Sequence, residues 1–196
     1  MILANVRTPV ERRGDLNAQL AALRVGARRI IELAGRFGPE VLEEGLAAIL
    51  DYAERRMRAR LVELPHGSWA GEDWLDDDGA SDDPVMIRLR IDHGPDGLTF
   101  DFEGSAPQRH GNVNAVAPMT HSSVFYALKI LTDATIPANA GVMRPVTVRI
   151  PKGSFLDAQP PAAVCAGNTE TTQRVADAVL RVMAQFAPDR IAAELA

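Results

Sequence analysis

The apolar residues of this chain change their period part-way along it. From Leu16 to Leu61 they recur every three or four residues, and from Val85 to Phe102 they alternate. A 3.6-residue period buries one face of a helix, and a period of two buries one face of a strand. Leu16, Leu20, Leu23, Ala27, Ile30, Ile31 and Ala34 share one helical stripe, with Arg24, Arg28, Arg29 and Glu32 largely on another face. Asp15, after Gly14, is placed as the N-cap of this helix. Gly38-Pro39 stops it and starts a second, whose stripe is Leu42, Leu46, Ile49, Leu50, Ala53, Met57 and Leu61. So short a link predicts antiparallel neighbours. Leu64-Pro65-His66-Gly67 ends the pair.

Val85, Ile87, Leu89 and Ile91 then alternate with Met86, Arg88, Arg90 and Asp92, and Leu98, Phe100 and Phe102 alternate with Thr99, Asp101 and Glu103. Gly94-Pro95-Asp96-Gly97 between them is turn chemistry, so the two runs predict an antiparallel hairpin. Ser68 to Trp74 is expected as a third strand. Pro118 to Leu131 predicts a helix, Arg144 to Ile150 a strand, and Thr169 to Phe186 a last helix with Val175, Val179, Val182, Met183 and Phe186 on its core face. The fold expected is α+β: an N-terminal helical hairpin followed by a mainly antiparallel sheet with packed helices. The helical segment spans 1–64 and the α+β segment 65–196. Both ends, "MILANVRTPV" and "DRIAAELA", read as cut from something larger.

Composition narrows the function classes. With 196 residues, 46% of them hydrophobic, the chain is long enough to bury a core without staples. Its single cysteine, Cys165, leaves no internal disulfide and is expected as a buried, inert thiol. A net charge of −5 does not suit a nucleic-acid binder. No apolar run is long enough for a bilayer, so neither nucleic acid nor membrane is expected as a partner, and the expected location is cytoplasmic.

Familiar catalytic motifs are lacking. There is no phosphate loop of the Walker type, no GxGxxG and no HExxH. In Gly67-Ser68-Trp69-Ala70-Gly71 the serine stands one place too early for a nucleophile elbow. Asp76-Asp77-Asp78-Gly79-Ala80 looks like a calcium loop, but Ala80 and Ser81 stand where an oxygen ligand and a glycine are required, so it reads as a solvated acidic turn. His66, His93, His110 and His121 are scattered; His110 and His121 flank Gly111 to Asn114 and could meet in space, but without close carboxylates or cysteines no metal ligands are assigned.

Three polar, non-periodic segments are better candidates: Gln108 to Asn114, Ile136 to Pro145 and Gly167 to Gln173. Asparagine offers a donor and an acceptor together, which suits amides, imides and carboxylates. Asparagine and glycine are also cap and turn residues. Asn168 reads first as a cap for the last helix, with contact to a neutral substrate amide as the alternative.

The stretches "ANVRTP", "RGDLNAQLAALRVGARRIIEL", "DFEGSAPQRHGNVNA" and "IPANAGVMRPVTVRIPKGSFLDAQPPAAVCAGNTETTQRVADAVL" closely resemble the hydantoinase B/oxoprolinase family. The family includes the B subunit of N-methylhydantoinase, the C-terminal half of 5-oxoprolinase and subunits of acetone and acetophenone carboxylases. The resemblance covers nearly the whole chain. It implies a central portion of a longer subunit and ATP-dependent hydrolysis of a cyclic amide (hydantoin or 5-oxoproline) together with a hydantoinase A-type subunit. The ring oxygen would be phosphorylated and water would then open the ring. ATP and Mg2+ are implied for the complex through the A-type partner, with no cofactor in this chain. The remainder of the B-type polypeptide is a further implied partner. The alternative is a subunit-interaction domain of a related ATP-dependent ketone carboxylase, with no chemistry of its own. Asn112, Asn114, Asn139, Arg144, Asn168 and Glu170 lie in the matching blocks and are the residues expected to line a substrate site or a subunit interface. Arg144 is expected to pair with a carboxylate, either structurally or on a substrate, or with a phosphorylated substrate.

Overall fold

The structure is a computed structural model that describes residues 2–6 and 8–190. It divides into two compact units, Met1–Ile49 and Leu50–Ala196. In the first unit a short 3-10 turn, Ile2–Asn5, precedes helix α1, Pro9–Phe37. Proline at the first helical position has no N–H to leave unpaired and holds φ ready for the helix. Thr8 supplies the first carbonyl, accepting the Arg12 N–H at 3.0 Å. The helix therefore opens six residues ahead of the Asp15 cap that the sequence suggests. Asp15 lies inside it, paired with Arg12 at 2.6 Å. Gly38, at φ 88, ends the helix and donates its N–H back to the Ala34 carbonyl. Only a residue without Cβ adopts that φ readily.

Helix α2, Pro39–Leu61, begins in the first unit and continues into the second, where Ala53, Met57 and Leu61 are buried. The stripe of α1 behaves differently: none of its described residues is buried. The helices expected at the N-terminus form, but the apolar stripe of the first stays exposed among the described residues.

The second unit is built on a four-stranded sheet in the order β1 (Gly67–Leu75), β2 (Val85–Gly94), β3 (Gly97–Asp101), β4 (Val146–Arg149). The first three pair antiparallel, with Trp69 opposite Ile91 and Ile91 opposite Phe100. β4 joins β3 in parallel, Leu98 opposite Val146 and Phe100 opposite Val148. A parallel neighbour needs a long crossover, and residues 102–145 supply it. Within that crossover lies α3, Ala117–Leu131. The expected strand from Arg144 to Ile150 is thus shorter, and the sheet is mixed although mainly antiparallel. At Gly97 (φ 126) an added Cβ would lie 2.0 Å from the Pro145 carbonyl oxygen, so this position admits glycine alone.

Alternation decides which face is covered. Val85, Ile87, Leu89 and Ile91 are buried, while Arg88 and Arg90 point to solvent. The last helix, α4 (Thr171–Met183), lays Val175, Val179, Val182 and Met183 against β1, β2 and α3. Phe100, Phe102 and Phe155 fill the centre with Val124, Leu128 and Leu131 of α3. Each fully buried Ile, Leu or Phe here stabilises the unit by roughly 1.5–3 kcal/mol against its exposed state.

Candidate functional site

The polar loops that carry the expected site residues are fastened to one another. Asn114 is fully buried. Its side-chain oxygen accepts the Arg109 N–H at 2.7 Å, and its amide nitrogen lies 3.0, 2.9 and 2.8 Å from the carbonyls of Arg109, Gly111 and Ala163. Both amide hydrogens and one acceptor position of the oxygen are thereby engaged. Asn114 is therefore a buried clamp between two loops.

Asp78 works beside it. The run Asp76 to Asp83 is not simply a solvated turn, because Asp78 is 2% exposed. Its Oδ1 accepts the N–H groups of Ala80 and Ser81 at 2.8 and 2.7 Å, and its Oδ2 accepts that of Gly111 at 3.2 Å. The backbone N–H groups of Ala80 and Ser81, then those of Gly111 and the Arg109 guanidinium, hold the carboxyl down to about 2. With these N–H donors and a cation turned toward it, the ionised form is favoured.

The six expected residues do not converge. Asn112 and Glu170 are both exposed and border a polar cleft of about 320 Å³ with Asp76, Asp77 and Arg174. Arg144 is committed to α2: its guanidinium bonds Asp51 at 2.6 Å and Glu54 at 3.0 Å, and Arg144, ahead of Arg58, holds the Glu54 carboxyl below its ordinary range. The structural alternative for Arg144 is the observed one. Asn139 caps the 3-10 turn Ala140–Met143, accepting the Gly141 N–H at 2.9 Å. It also borders an apolar cleft of about 440 Å³ with Phe125, Met143, Val146 and Val148.

Asn168 does not cap the last helix. A 3-10 turn, Ala166–Asn168, comes first, and Glu170 occupies the N-cap position of α4 without a side-chain cap bond. The Asn168 main-chain carbonyl accepts the Thr172 hydroxyl, and its side chain makes no hydrogen bond among the described residues. The turn is placed by close packing: a Cβ on Gly167 would lie 2.0 Å from the Asn114 carbonyl oxygen. Thr171 anchors the helix start from the other side, donating its hydroxyl to the Val113 carbonyl. Cys165, in this same segment, is exposed, contrary to the buried thiol expected. The turn that delivers Asn168 brings Cys165 to the surface despite its apolar neighbours.

The free Asn168 amide borders a cleft of about 500 Å³ between α3 and the start of α4. Pro118, Met119 and Ala176 give it apolar surface, and Ser122, Ser123, Tyr126, Thr172 and Gln173 complete the lining. No charged side chain borders it. The two serines are engaged: Ser123 donates to the Thr172 carbonyl at 2.9 Å and Ser122 to the Pro118 carbonyl at 2.8 Å. Asn168, Gln173 and Tyr126 make no side-chain hydrogen bond among the described residues. This cleft meets the apolar one at Ser122. Sequence reasoning missed Tyr126, Met119 and Ser122. Ser122 and Tyr126 stand one helical turn apart on the helix that the sequence predicts.

Helix N-termini bind phosphate through free N–H groups and the positive dipole end. Here α1 and α2 open on proline followed by Glu11 and Glu40, α3 carries Pro118 in its first turn, and α4 opens on Glu170. Among the described residues no three His, Cys, Asp or Glu side chains gather as a metal-holding group.

The family described as Hydantoinase B/oxoprolinase matches residues 1–196. The chain belongs to the hydantoinase B/oxoprolinase family. A putative D-/L-hydantoinase B subunit from Pseudomonas sp. (strain NS671) is 32% identical over 201 residues, covering 96% of this chain and 34% of that protein. The 5-oxoprolinase of Saccharomyces cerevisiae is 36% identical over 171 residues, 85% of this chain and 13% of the yeast protein. The crystal structure of the ATP-dependent caprolactamase from Pseudomonas jessenii superposes with a TM-score of 0.83 at 33% identity, covering 96% of this chain and 32% of that one. The chain thus spans about a third or less of the length of these relatives. No described helix is long and apolar enough to cross a membrane.

Proposed function

We propose that this chain is part of the B-type component of a complex that opens cyclic amides at the expense of ATP, acting with an A-type subunit that holds the nucleotide. The observation that carries this reading is the uncharged cleft beside α3 in a chain of this family, with the Asn168 and Gln173 amides and the Tyr126 hydroxyl uncommitted. A cyclic amide such as a hydantoin or a lactam is a neutral ring carrying an N–H donor beside a C=O acceptor. Asparagine and glutamine amides present the reciprocal pair. Met119, Pro118 and Ala176 offer apolar surface to the ring carbons. A neutral lining also avoids the cost of burying a charge against an uncharged ligand.

The part of this chain is to bind and orient the ring. Activation by ATP belongs to the partner, because acidic and proline-led helix starts here disfavour phosphate. Asn112 and Glu170, on the neighbouring polar cleft, belong to a subunit interface. Asn139, at the rim of the apolar cleft, extends the surface offered to larger rings. The working location is the cytoplasm, where ATP is supplied.

The test is ATP-dependent ring opening by the complex reconstituted with its A-type partner, using hydantoin, 5-oxoproline and caprolactam in turn. Turnover of any one, with phosphate release, supports the reading. A complex that assembles, hydrolyses ATP and opens none of these rings counts against it.

A further inference from the structure

Two buried carboxylate oxygens lack a donor where α4 packs on the edge strand β1. Asp73, on β1, is 4% exposed. Its Oδ1 accepts the Trp74 N–H at 2.9 Å. Its Oδ2, and Oδ1 of Asp177 on α4, make no hydrogen bond among the described residues. Both atoms are closed to solvent, so a segment laid over this surface from outside cannot supply the missing donor.

The guanidiniums nearby do not fill the gap. Arg181 Nη2 lies 3.4 Å from Asp73 Oδ2 without hydrogen-bond geometry. Arg174 Nη1 lies 3.8 Å from Asp73 Oδ1 and 4.0 Å from Asp177 Oδ2. One arginine nitrogen thus serves both carboxylates, and neither orphaned oxygen gains a bond from it. Other charges are turned away or distant. Glu170, Arg174 and Arg181 share the Asp177 stripe of α4 at helical spacing. On β1, Glu72 points to the opposite face of the sheet and pairs with Arg88. β2 buries Val85, Ile87 and Leu89, and its one buried titratable residue, His93, sits toward the other end of the strand against the Pro65 carbonyl. The buried residues of α3 and the turn Ala166–Asn168 do not titrate.

An ionised carboxylate only accepts hydrogen bonds, whereas a protonated one also donates. Where two carboxylates occupy one poorly solvated place, one of them holds its proton. We propose that Asp73 and Asp177 share a single proton, carried by Asp177, and that this proton fastens α4 to β1. Asp73, with the Trp74 N–H and two guanidiniums about it, is the acceptor. Burial first, with the Asp73 charge adding to it and Arg174 and Arg181 opposing, pushes the Asp177 carboxyl above its ordinary range. A raised folded value makes the native state bind more protons than the unfolded one. The contribution is therefore full at low pH and fades as pH rises from the unfolded value through the folded one. The fastening bears on the cleft, because α4 carries Thr172 and Gln173 into its lining. The pair is independent of what that cleft binds.

The test is urea unfolding of the wild type, D177N, D73N and the double variant between about pH 4 and 8, above the ~3.9 at which an unfolded aspartate titrates. Asparagine keeps the shape and a donor but carries no charge. The wild-type unfolding constant divided by that of D177N should rise with pH, by up to about tenfold per pH unit until the proton is gone. With Asp73 already replaced, the ratio of D73N to the double variant should rise over a narrower range, because the like charge is missing. Carbon-13 NMR of the wild-type carboxyls needs no variant: Asp177 should titrate above the exposed aspartates. A wild-type ratio that stays level or falls as pH rises, a slope untouched by D73N, or an Asp177 carboxyl that titrates with or below the exposed aspartates would each overturn the proposal.

Discussion

The carboxylate of Asp78 reaches across 33 residues of sequence to accept the Gly111 N–H while its other oxygen holds Ala80 and Ser81. This one side chain joins the acidic loop after β1 to the loop ahead of α3. Its carboxyl is held down to about 2, whereas an unfolded aspartate titrates near ~3.9. A depressed folded value stabilises the native state above the unfolded pKa, and the contribution fades as pH falls through the folded one. Asp78→Asn should therefore lower the melting temperature most where the lost contribution is fully present, above ~3.9. The difference from wild type should shrink toward pH 2. Thermal melts across that range check it, and a constant offset at every pH counts against the latch.

Gly111 and Gly35 should respond in opposite ways to alanine. A Cβ at Gly111 would lie 1.6 Å from the Asp78 carbonyl oxygen, with backbone that cannot move aside. Gly111→Ala should destabilise by about 1–3 kcal/mol or more. A Cβ at Gly35, inside α1, would meet nothing within 4 Å outside the backbone of its own helix, so Gly35→Ala should stabilise by roughly 0.5–1 kcal/mol. Urea unfolding of both proteins measures the contrast.

Asn114→Ala removes a buried clamp and leaves the Arg109 N–H and the carbonyls of Gly111 and Ala163 without partners. Each such group costs about 1–3 kcal/mol. Asn114→Asp should be worse, because it sets an ionised carboxylate against three carbonyl oxygens. Equilibrium denaturation should order the proteins wild type, then Ala, then Asp.

Asn168→Ala and Gln173→Ala act on exposed side chains without internal bonds among the described residues. Surface changes of that kind stay within about 0.5 kcal/mol in stability. In the assembled complex the double variant should raise KM for the cyclic amide severalfold and leave the melting temperature alone. Unchanged kinetics would remove these residues from the ligand site.

Cys165 should react with an aromatic disulfide reagent in the native state, one thiol per chain, at a rate close to that of the unfolded protein. Labelling that waits for denaturant would show the segment packed away.

The helices and the hairpin were legible in the residues because burying one face of a helix or strand leaves a period in the pattern. Val85 to Ile91 and Val175 to Met183 show this directly. The turn at Gly94 to Gly97 was legible for a local steric reason. The site was far less so. Asn114, Asn139 and Asn168 look alike in sequence, yet one clamps two loops, one caps a turn and one faces an open cleft. A loop has no repeat, so its residue types cannot say whether an amide spends its bonds internally. Asp78 was misread for the same reason: its partner Gly111 is remote in sequence. Tyr126 went unseen because its neighbours across the cleft come from another helix.

Local chemistry along the chain, then, determined the α+β class, the helix and strand order and membership of the family. These depend on periodicity and on motifs read in order. Tertiary structure alone decided that β4 pairs in parallel with β3, that Arg144 is bound to Asp51 and Glu54, and that the α1 stripe is exposed. Each is a contact, or a missing one, between surfaces distant in sequence. Which distant partners meet is set by packing of the whole unit, to which no single stretch of residues has access.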